Sequence, residues 1–328
     1  MKKLISIVVP VYNEEGNILR FYDQVVMALK PEADKYEFEF VFTDNHSADM
    51  TFPLLQELAR KDKRVRAYRF SRNFGFQRSI LSGYRLARGD AAVQIDVDLQ
   101  DPPRIIRDFL RQWEAGYAVV YGIRAKRPEL FLLRCLRKGF YRTVDFLAED
   151  RLPHDAGDFR LIDRRVLDVV CRINDAQPYL RGLIAGLGFS QTGVVYDRTA
   201  RQAGHSKFGL LSLVTFAIDA VANHSIMPLK LASLAGLFIT ILSLAGFFFY
   251  LINYFFFGSG WPPGFTTLIL TLLLLFGMNA LFLGIMGEYV GRMYHQLKAR
   301  PNAIVEEAIE AGTTLEIRQL TDVNDKIV

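Results

Sequence analysis

Gln94-Ile95-Asp96-Val97-Asp98-Leu99-Gln100-Asp101-Pro102-Pro103 sets three carboxylates and two amides directly after the apolar run Ala91–Val93. A run of that kind reads as the end of a buried strand, which the proline pair closes. The acidic groups therefore fall at the carboxyl edge of a sheet, where α/β proteins bind ligands. Asp96 and Asp98 alternate with apolar residues, and the chain turns just after them, so both can reach one cation. Carboxylate and amide oxygens with no His or Cys beside them are hard ligands. They suit Mg²⁺ or Mn²⁺, which in turn bind diphosphates. The competing reading is an acidic, solvated loop, and the rest of the chain decides between the two.

Upstream of this stretch, apolar strands alternate with amphipathic helices. The pattern predicts strands over Ile5–Val11, Phe38–Thr43, Val65–Phe70 and Ala91–Asp96. Helices are predicted over Asn17–Leu29, Thr51–Arg60 and Gln77–Ala87. That rhythm implies a mainly parallel sheet with helices on both faces. Its crevice is expected where the post-strand segments meet. These are Pro10–Glu14, Asp44–Ser47, Ser71–Gly75 and the acidic stretch.

The chain has 328 residues, and its 51% hydrophobic content is unevenly spread. No charged residue occurs from Leu231 to Phe257 or from Gly258 to Gly287. Each run exceeds the roughly 20 residues that cross a bilayer. Gly258-Ser-Gly-Trp-Pro-Pro-Gly264 between them reads as a turn, so two transmembrane helices in a hairpin are expected. Lys230 precedes the first run, and Arg292, Lys298 and Arg300 follow the second. The positive-inside rule then puts both termini in the cytoplasm. Met1-Lys2-Lys3-Leu4-Ile5 is too short an apolar lead for a signal peptide. Cys135 and Cys171 lack metal-type spacing and fit reduced thiols. The net charge of +5 suits an anionic membrane surface or phosphate substrates, and no nucleic-acid motif is present. Arg134–Leu147 reads either as a membrane-surface helix or as a domain helix with a solvated cationic face, and Ser206–Met227 reads as interfacial helices. The segment after Pro301 is expected to be a helix that frays into a disordered end.

Several segments together resemble a known family. They are Ile7-Val-Val-Pro-Val-Tyr-Asn-Glu-Glu15, Ser71-Arg-Asn-Phe-Gly75, Asp96-Val-Asp-Leu-Gln-Asp-Pro-Pro103, Gly157-Asp-Phe-Arg160, Arg201-Gln-Ala-Gly-His-Ser-Lys-Phe208 and Gly287-Glu-Tyr-Val-Gly-Arg292. The chain is similar in these to the inverting family 2 glycosyltransferases with a GT-A fold. Within them it resembles the polyisoprenyl-phosphate enzymes, of the bactoprenol glucosyltransferase and dolichol-phosphate mannose synthase kind. The resemblance implies a Rossmann-like GT-A catalytic domain over 1–205 and interfacial helices over 206–228. Transmembrane helices over 229–257 and 264–290 and a cytoplasmic tail over 291–328 complete it. It implies a multi-pass inner-membrane enzyme that moves a hexose from UDP-glucose to undecaprenyl phosphate, and a homo-oligomer, a tetramer in relatives with this hairpin. Other donors (GDP-mannose, UDP-GlcNAc, a UDP-aminoarabinose type) and a non-catalytic nucleotide-sugar-binding membrane subunit stand as alternatives. A processive polysaccharide synthase is disfavoured, because neither Trp113 nor Trp261 follows an Arg.

The resemblance also implies roles. Pro10, Tyr12, Glu14 and Asp44 hold the nucleotide, with Asp96, Arg124 and Arg127 beside the sugar nucleotide. Asp98 and Gln100 hold the metal. Asp96 and Asp98 serve the chemistry, with Asp158 at the acceptor side as a base or only an orienting group. Arg201 and Lys207 bind phosphate. The family's Asp-Asp-Gly-Ser element reads Asp44-Asn45-His46-Ser47 here, so an amide and an imidazole replace its second Asp and its Gly. Duller readings accompany several of these residues. Tyr12 and Phe76 could be core aromatics, Asp158 and Asp163 helix caps, and Arg72 and Asn73 turn formers. Glu288 reads as structural, and nothing makes His46 or His205 a metal ligand.

Overall fold

The computed structural model describes residues 2–125, 156–176, 178–198, 264–298 and 300–327, with isolated positions between 234 and 256. Contacts divide the chain into two compact units. One comprises Met1–Leu136, Asp150–Phe208 and Ala299–Val328, and the other Arg137–Glu149 and Gly209–Lys298.

The first unit is built on a sheet in the order β7-β5-β6-β4-β1-β2-β3-β8-β9. Its central strands are β1 (Lys3–Val11), β2 (Tyr36–Asp44), β3 (Val65–Phe70) and β4 (Ala91–Gln94). β1 pairs in parallel with both β2 and β4, and β2 with β3. These strands are apolar on both faces because helices cover both. Ile5, Ile7 and Val9 face a core shared with α1 (Ile18–Leu29), α2 (Thr51–Lys61) and α4 (Ile105–Glu114). Val8 and Val41 face a second core with α3 (Phe76–Leu86), α5 (Arg164–Arg172) and α6 (Leu180–Gly186). The predicted helices and strands upstream of the acidic stretch lie within two residues of those observed.

Two features decide where the crevice opens. β1 is flanked by β2 on one side and β4 on the other, so the order of winding reverses between β1 and β4. The β1–β4 ladder also stops early, with Ile95 N–H donating to Val8 O at 3.1 Å. Pro10 faces the same side two residues later and has no N–H to extend the ladder. Toward β2 the bonding continues, with Asn45 N–H donating to Val11 O at 3.0 Å.

Strand direction then brings distant segments to the same edge. β6 (Ala156–Asp163) runs antiparallel to β4 and β5 (Val119–Arg124), so β6 starts where those two end. β7 (Gln191–Tyr196) is parallel to β5 and ends at that edge too.

The segment after Pro301 corrects the expectation of a fraying helix. β8 (Val305–Glu310) adds antiparallel to β3, β9 (Thr313–Thr314) follows, and α8 (Ile317–Ile327) contacts α3. The unsatisfied edge of β3 supplies the reason: Val305, Ala308 and Ile309 are buried against it. The Asn324 amide fixes the entry, accepting from Val305 N–H at 2.7 Å and donating to Val305 O at 3.1 Å. At the opposite end of β8 lies a buried ionic network. Arg66 donates to Glu39 (2.8 Å), Leu86 O (3.0 Å) and Tyr68 (2.5 Å), and pairs with Glu310 at 3.4 Å. Ser6 Oγ donates to the second oxygen of Glu39 at 2.5 Å.

The hairpin and the multi-pass inner-membrane placement are also corrected. Among the described residues, no helix is long and apolar enough to cross a membrane. The expectation rests on charge-free letters from Leu231 to Gly287, and the described helices do not meet it. The first run is described only at isolated positions such as Leu234, Phe238 and Ile252. The second belongs to α7 (Phe265–Leu297), which does not stop at 290 but continues through Arg292 and His295. The expected interfacial segment at 206–228 and the basic helix at 134–147 lie outside the described residues.

Arg66→Ala leaves Glu39 buried without its cation, while Glu310 keeps Arg88 at 2.6 Å, and breaking a buried pair from one side costs about 3–5 kcal/mol. Denaturant unfolding of the first unit is expected to show a loss of that size. Removing the exposed Glu57–Lys61 pair by Glu57→Ala is expected to leave the midpoint unchanged.

Candidate active site

Each turn at the carboxyl edge of the four parallel strands contains a residue in the left-handed region. They are Asn13 (φ 53°), His46 (φ 63°), Gly75 (φ 97°) and Leu99 (φ 58°). Asn and His tolerate that region, whereas a bulky apolar residue does not. Leu99 is only 9% exposed, so packing holds the strained turn that presents Asp98 and Gln100.

Within the acidic stretch, Gln94 Nε2 donates to Asp96 Oδ1 at 2.8 Å, and Asp98 Oδ1 accepts from Gln100 N–H at 3.1 Å. Burial pushes the Asp96 carboxyl up to about 7, and the charges of Asp101, Asp158 and Asp98 add to the effect. The Gln94 bond acts the other way but is outweighed. Gln94 Oε1 is buried and lacks a hydrogen-bond partner among the described residues. Among those residues, no three His, Cys, Asp or Glu side chains stand together as a metal cage. The donor set still fits Mg²⁺ or Mn²⁺, which are typically held by one or two carboxylates with substrate phosphates completing the shell. Crowded negative charge of the kind that raises Asp96 is what such a cation relieves.

Asp101, 1% exposed, lies under this loop and gathers residues from both neighbouring strands. Tyr196 OH donates to its Oδ1 at 2.5 Å, Arg198 Nε stands 3.3 Å from Oδ1, and Arg124 Nη2 stands 3.6 Å from Oδ2. Two glycines make room for this. A Cβ on Gly122 would meet the Tyr196 ring at 2.6 Å, and one on Gly157 would meet the Arg124 guanidinium at 3.0 Å.

Asp158 opens β6 on the far side. Its Oδ1 accepts from Gln77 Nε2 at 3.3 Å and pairs with Arg181 Nε at 3.5 Å. Gln77 also accepts from Leu180 N–H at 3.1 Å, which ties α3 to α6 at this point. Arg160 is buried with its Nη2 donating to Gly157 O at 2.9 Å. Desolvation lowers its pKa, and the Asp158 charge opposes the drop. Asp158 is thus a strand residue surrounded by cations and not a helix cap. Asp163 does cap, accepting from Arg165 N–H at 2.9 Å.

The nucleotide-end residues divide by environment. Pro10 is buried within β1, while Tyr12 is 45% exposed and Phe76 43%, so neither aromatic is core. Glu14 accepts from Asn17 Nδ2 at 2.6 Å. Asp44 is fully buried and bound to its own turn, with Ser47 Oγ donating to Oδ1 at 2.5 Å. Burial raises its pKa against the pull of the Ser47 bonds and Arg69. Asn45 Oδ1 accepts from Phe74 N–H at 3.2 Å, and its Nδ2 donates to Gly75 O at 3.4 Å. A carboxylate cannot make both bonds, which accounts physically for the amide here. His46 Nδ1 lies 2.9 Å from Phe70 O and 3.2 Å from Glu306 of β8. Arg72 packs on the Phe74 ring and Asn73 accepts from Gly75 N–H, so both shape the turn.

Arg127, Arg201, Lys207 and His205 lie outside the described residues. Sequence reading missed the roles of Asp101, Arg198, Gln77, Arg181 and Glu306. Asp101 was visible inside the acidic stretch and Arg198 beside the basic segment, but their pairing depends on β5 and β7.

The sequence model of glycosyl transferase family 2 matches residues 6–171. A Bacillus subtilis protein described as the uncharacterized glycosyltransferase YkcC is 40% identical over 92% of this chain and 93% of its own. The SfII prophage-derived bactoprenol glucosyl transferase of Shigella flexneri is 34% identical over 93% of this chain and 98% of its own. Among solved structures, mannosyltransferase PcManGT of Pyrobaculum calidifontis with GDP-Man and Mn²⁺ matches with a TM-score of 0.43. It is 15% identical, over 90% of this chain and 88% of that one.

Asn45→Ala removes both the acceptor for Phe74 N–H and the donor to Gly75 O. The expected result is a stability loss of about 1–3 kcal/mol, with faster amide exchange at Phe74. Unchanged exchange at Phe74 would remove Asn45 from the support of this loop.

Proposed function

The chain belongs to glycosyl transferase family 2, and from that premise we propose that it transfers a hexose from a nucleotide sugar to a polyisoprenyl phosphate, with inversion at the sugar. It is a glycosyltransferase. The observation that carries the reading is the convergence of Asp96, Asp98, Gln100, Asp101, Arg124 and Asp158 on the crevice beside the switch between β1 and β4. The bactoprenol glucosyl transferases, similar over nearly their whole length, support a polyprenyl phosphate acceptor and glucose as the sugar. UDP-glucose is the donor that fits this reading.

In the proposed reaction an oxygen of the lipid phosphate attacks the anomeric carbon. The bond from that carbon to the diphosphate breaks, and the electron pair leaves with the nucleoside diphosphate. A phosphate monoester is already anionic at neutral pH, since its second pKa is about 6, so it hardly needs a base. Asp158, held by Gln77 and Arg181, is accordingly assigned to orienting the sugar or the cations around the acceptor. The greater task is to stabilise charge on the departing diphosphate, which is electrostatic work. Asp98 and Gln100 would hold Mg²⁺ or Mn²⁺, which when bound offsets that charge. Asp96 is assigned nearer the ribose or to the metal's second shell, and Arg124 to supplying fixed positive charge. Arg127, Arg201 and Lys207 are assigned to the phosphates as well, and Tyr12, Glu14 and Asp44 to the nucleotide.

The test uses purified full-length protein with undecaprenyl phosphate, Mg²⁺ or Mn²⁺ and a panel of nucleotide sugars, with lipid extracts read by mass spectrometry. A metal-dependent lipid-phosphate hexose made from UDP-glucose is expected. Product from another donor alone would replace the sugar assignment, and no product with nucleotide still bound would replace the reaction. Asp98→Ala is expected to abolish turnover in a folded protein, and full activity would remove Asp98 from the metal site. Lys207→Ala is expected to raise KM for one of the two phosphate substrates.

A further inference from the structure

We propose that Asp101 is a positioning residue that holds Arg124 and Arg198 together as a paired-guanidinium cradle for the diphosphate, and that Arg198 is a phosphate contact of this site. The inference rests on the family 2 reading only for the identity of the anion as a diphosphate.

The geometry is unusual for an ordinary buried ion pair. Asp101 is 1% exposed, and such a carboxylate normally fills its hydrogen-bonding capacity. Here Tyr196 OH alone makes a short bond to it, while the guanidinium groups stand at 3.3 and 3.6 Å. Asp101 Oδ2, Arg124 Nε and Arg198 Nε are all buried without a hydrogen-bond partner among the described residues. The two arginines are thus brought near a carboxylate without being saturated by it. Their side chains remain 36% and 27% exposed. Guanidinium forks that keep donors in reserve suit a doubly charged anion, which they bind bidentately.

The fold supplies the reason for this spacing. Arg124 ends β5 and Arg198 follows the end of the parallel β7, so both emerge at the same edge as the acidic loop. Two like charges placed there would repel each other. The Asp101 carboxylate between them offsets that repulsion, and Tyr196, hydrogen-bonded by Arg124, fixes the oxygen. Because Asp101 lies three residues from Asp98 and one from Gln100, the cradle and the expected metal ligands share one rigid loop. A diphosphate would then meet cations from both sides.

Electrostatics gives this assignment a test of sign. Removing a negative charge near a bound anion should tighten anion binding if Asp101 is only part of the background field. If it positions the two arginines, Asp101→Asn should weaken binding instead. The probe is inorganic pyrophosphate with Mg²⁺, titrated calorimetrically into the full-length chain. Asp101→Asn is expected to weaken binding about tenfold, and Arg198→Ala by a similar factor. The double variant is expected to lose less than the sum of the two single losses, because part of the Asp101 effect acts through Arg198 and the rest through Arg124. Arg198→Lys, which keeps the charge and loses the fork, should recover only part of the affinity. The melting temperature of each variant accompanies the titration, so that affinity is compared only between folded proteins. Tighter or unchanged pyrophosphate binding in Asp101→Asn would overturn the inference, as would strictly additive losses in the double variant. A wild-type chain that binds pyrophosphate through Arg198 but transfers no sugar would overturn the glycosyl-transfer reading and leave the cradle standing.

Discussion

The pairing between β1 and β4 ends at Val8 opposite Gln94, and the segments that follow the two strands part from there. A parallel strand with neighbours on both sides would otherwise carry its ladder to the edge and leave no gap. Pro10 removes the donor that would extend the pairing toward β4, while pairing toward β2 runs on to Val11 and Asp44. The carboxylates after β4 thereby gain room to turn toward the post-β1 segment. Among the described residues assigned to the site, Asp96 and Asp98 follow β4 while Tyr12 and Glu14 follow β1, the two strands that border that gap.

Charge is distributed along the strands according to the same plan. At the amino ends, Glu39 and Arg66 are buried and Glu310 half-buried, with Ser6, Tyr68 and Arg88 among their partners and Arg66 Nε left without one among the described residues. At the carboxyl ends the balance is left incomplete. Asp96 is crowded by three other carboxylates, and among the described residues Gln94 Oε1, Arg124 Nε and Arg198 Nε lack hydrogen-bond partners. Unmatched polar groups in a buried setting are costly, and those gathered beside Asp101 suit a polyanionic ligand with its cation.

The parallel half of the fold was legible because its signal is local. Apolar strands, amphipathic helices and the polar segments between them follow one another in Ile5–Gln94, and each prediction needed only neighbouring residues. The candidate cation ligands could be proposed from sequence where they lay in one stretch, as in Asp96–Gln100. What escaped depended on partners far apart in sequence. β8 reads Val-Glu-Glu-Ala-Ile-Glu, which suggests a polar tail until the open edge of β3 is known. Asp101 looked like one more acid until Arg124, Tyr196 and Arg198 arrived from other strands. Asn45 looked like a weakened Asp, but its value is that an amide both donates and accepts. The apolar runs after Lys230 misled in the opposite direction, since letter composition alone implied spans that the described helices do not bear out.

The strand formed by Val305–Glu310 carries a further consequence. β3 would otherwise present a row of open backbone donors and acceptors, flanked by Tyr68 and Phe70, to any passing chain. β8 closes that row with a strand that places Glu306 and Glu307 near the new rim, and acidic side chains discourage further strand addition. Shortening the polypeptide before Val305 would therefore do more than trim an ending. It would expose an adhesive sheet margin and convert a protected fold into one prone to self-association.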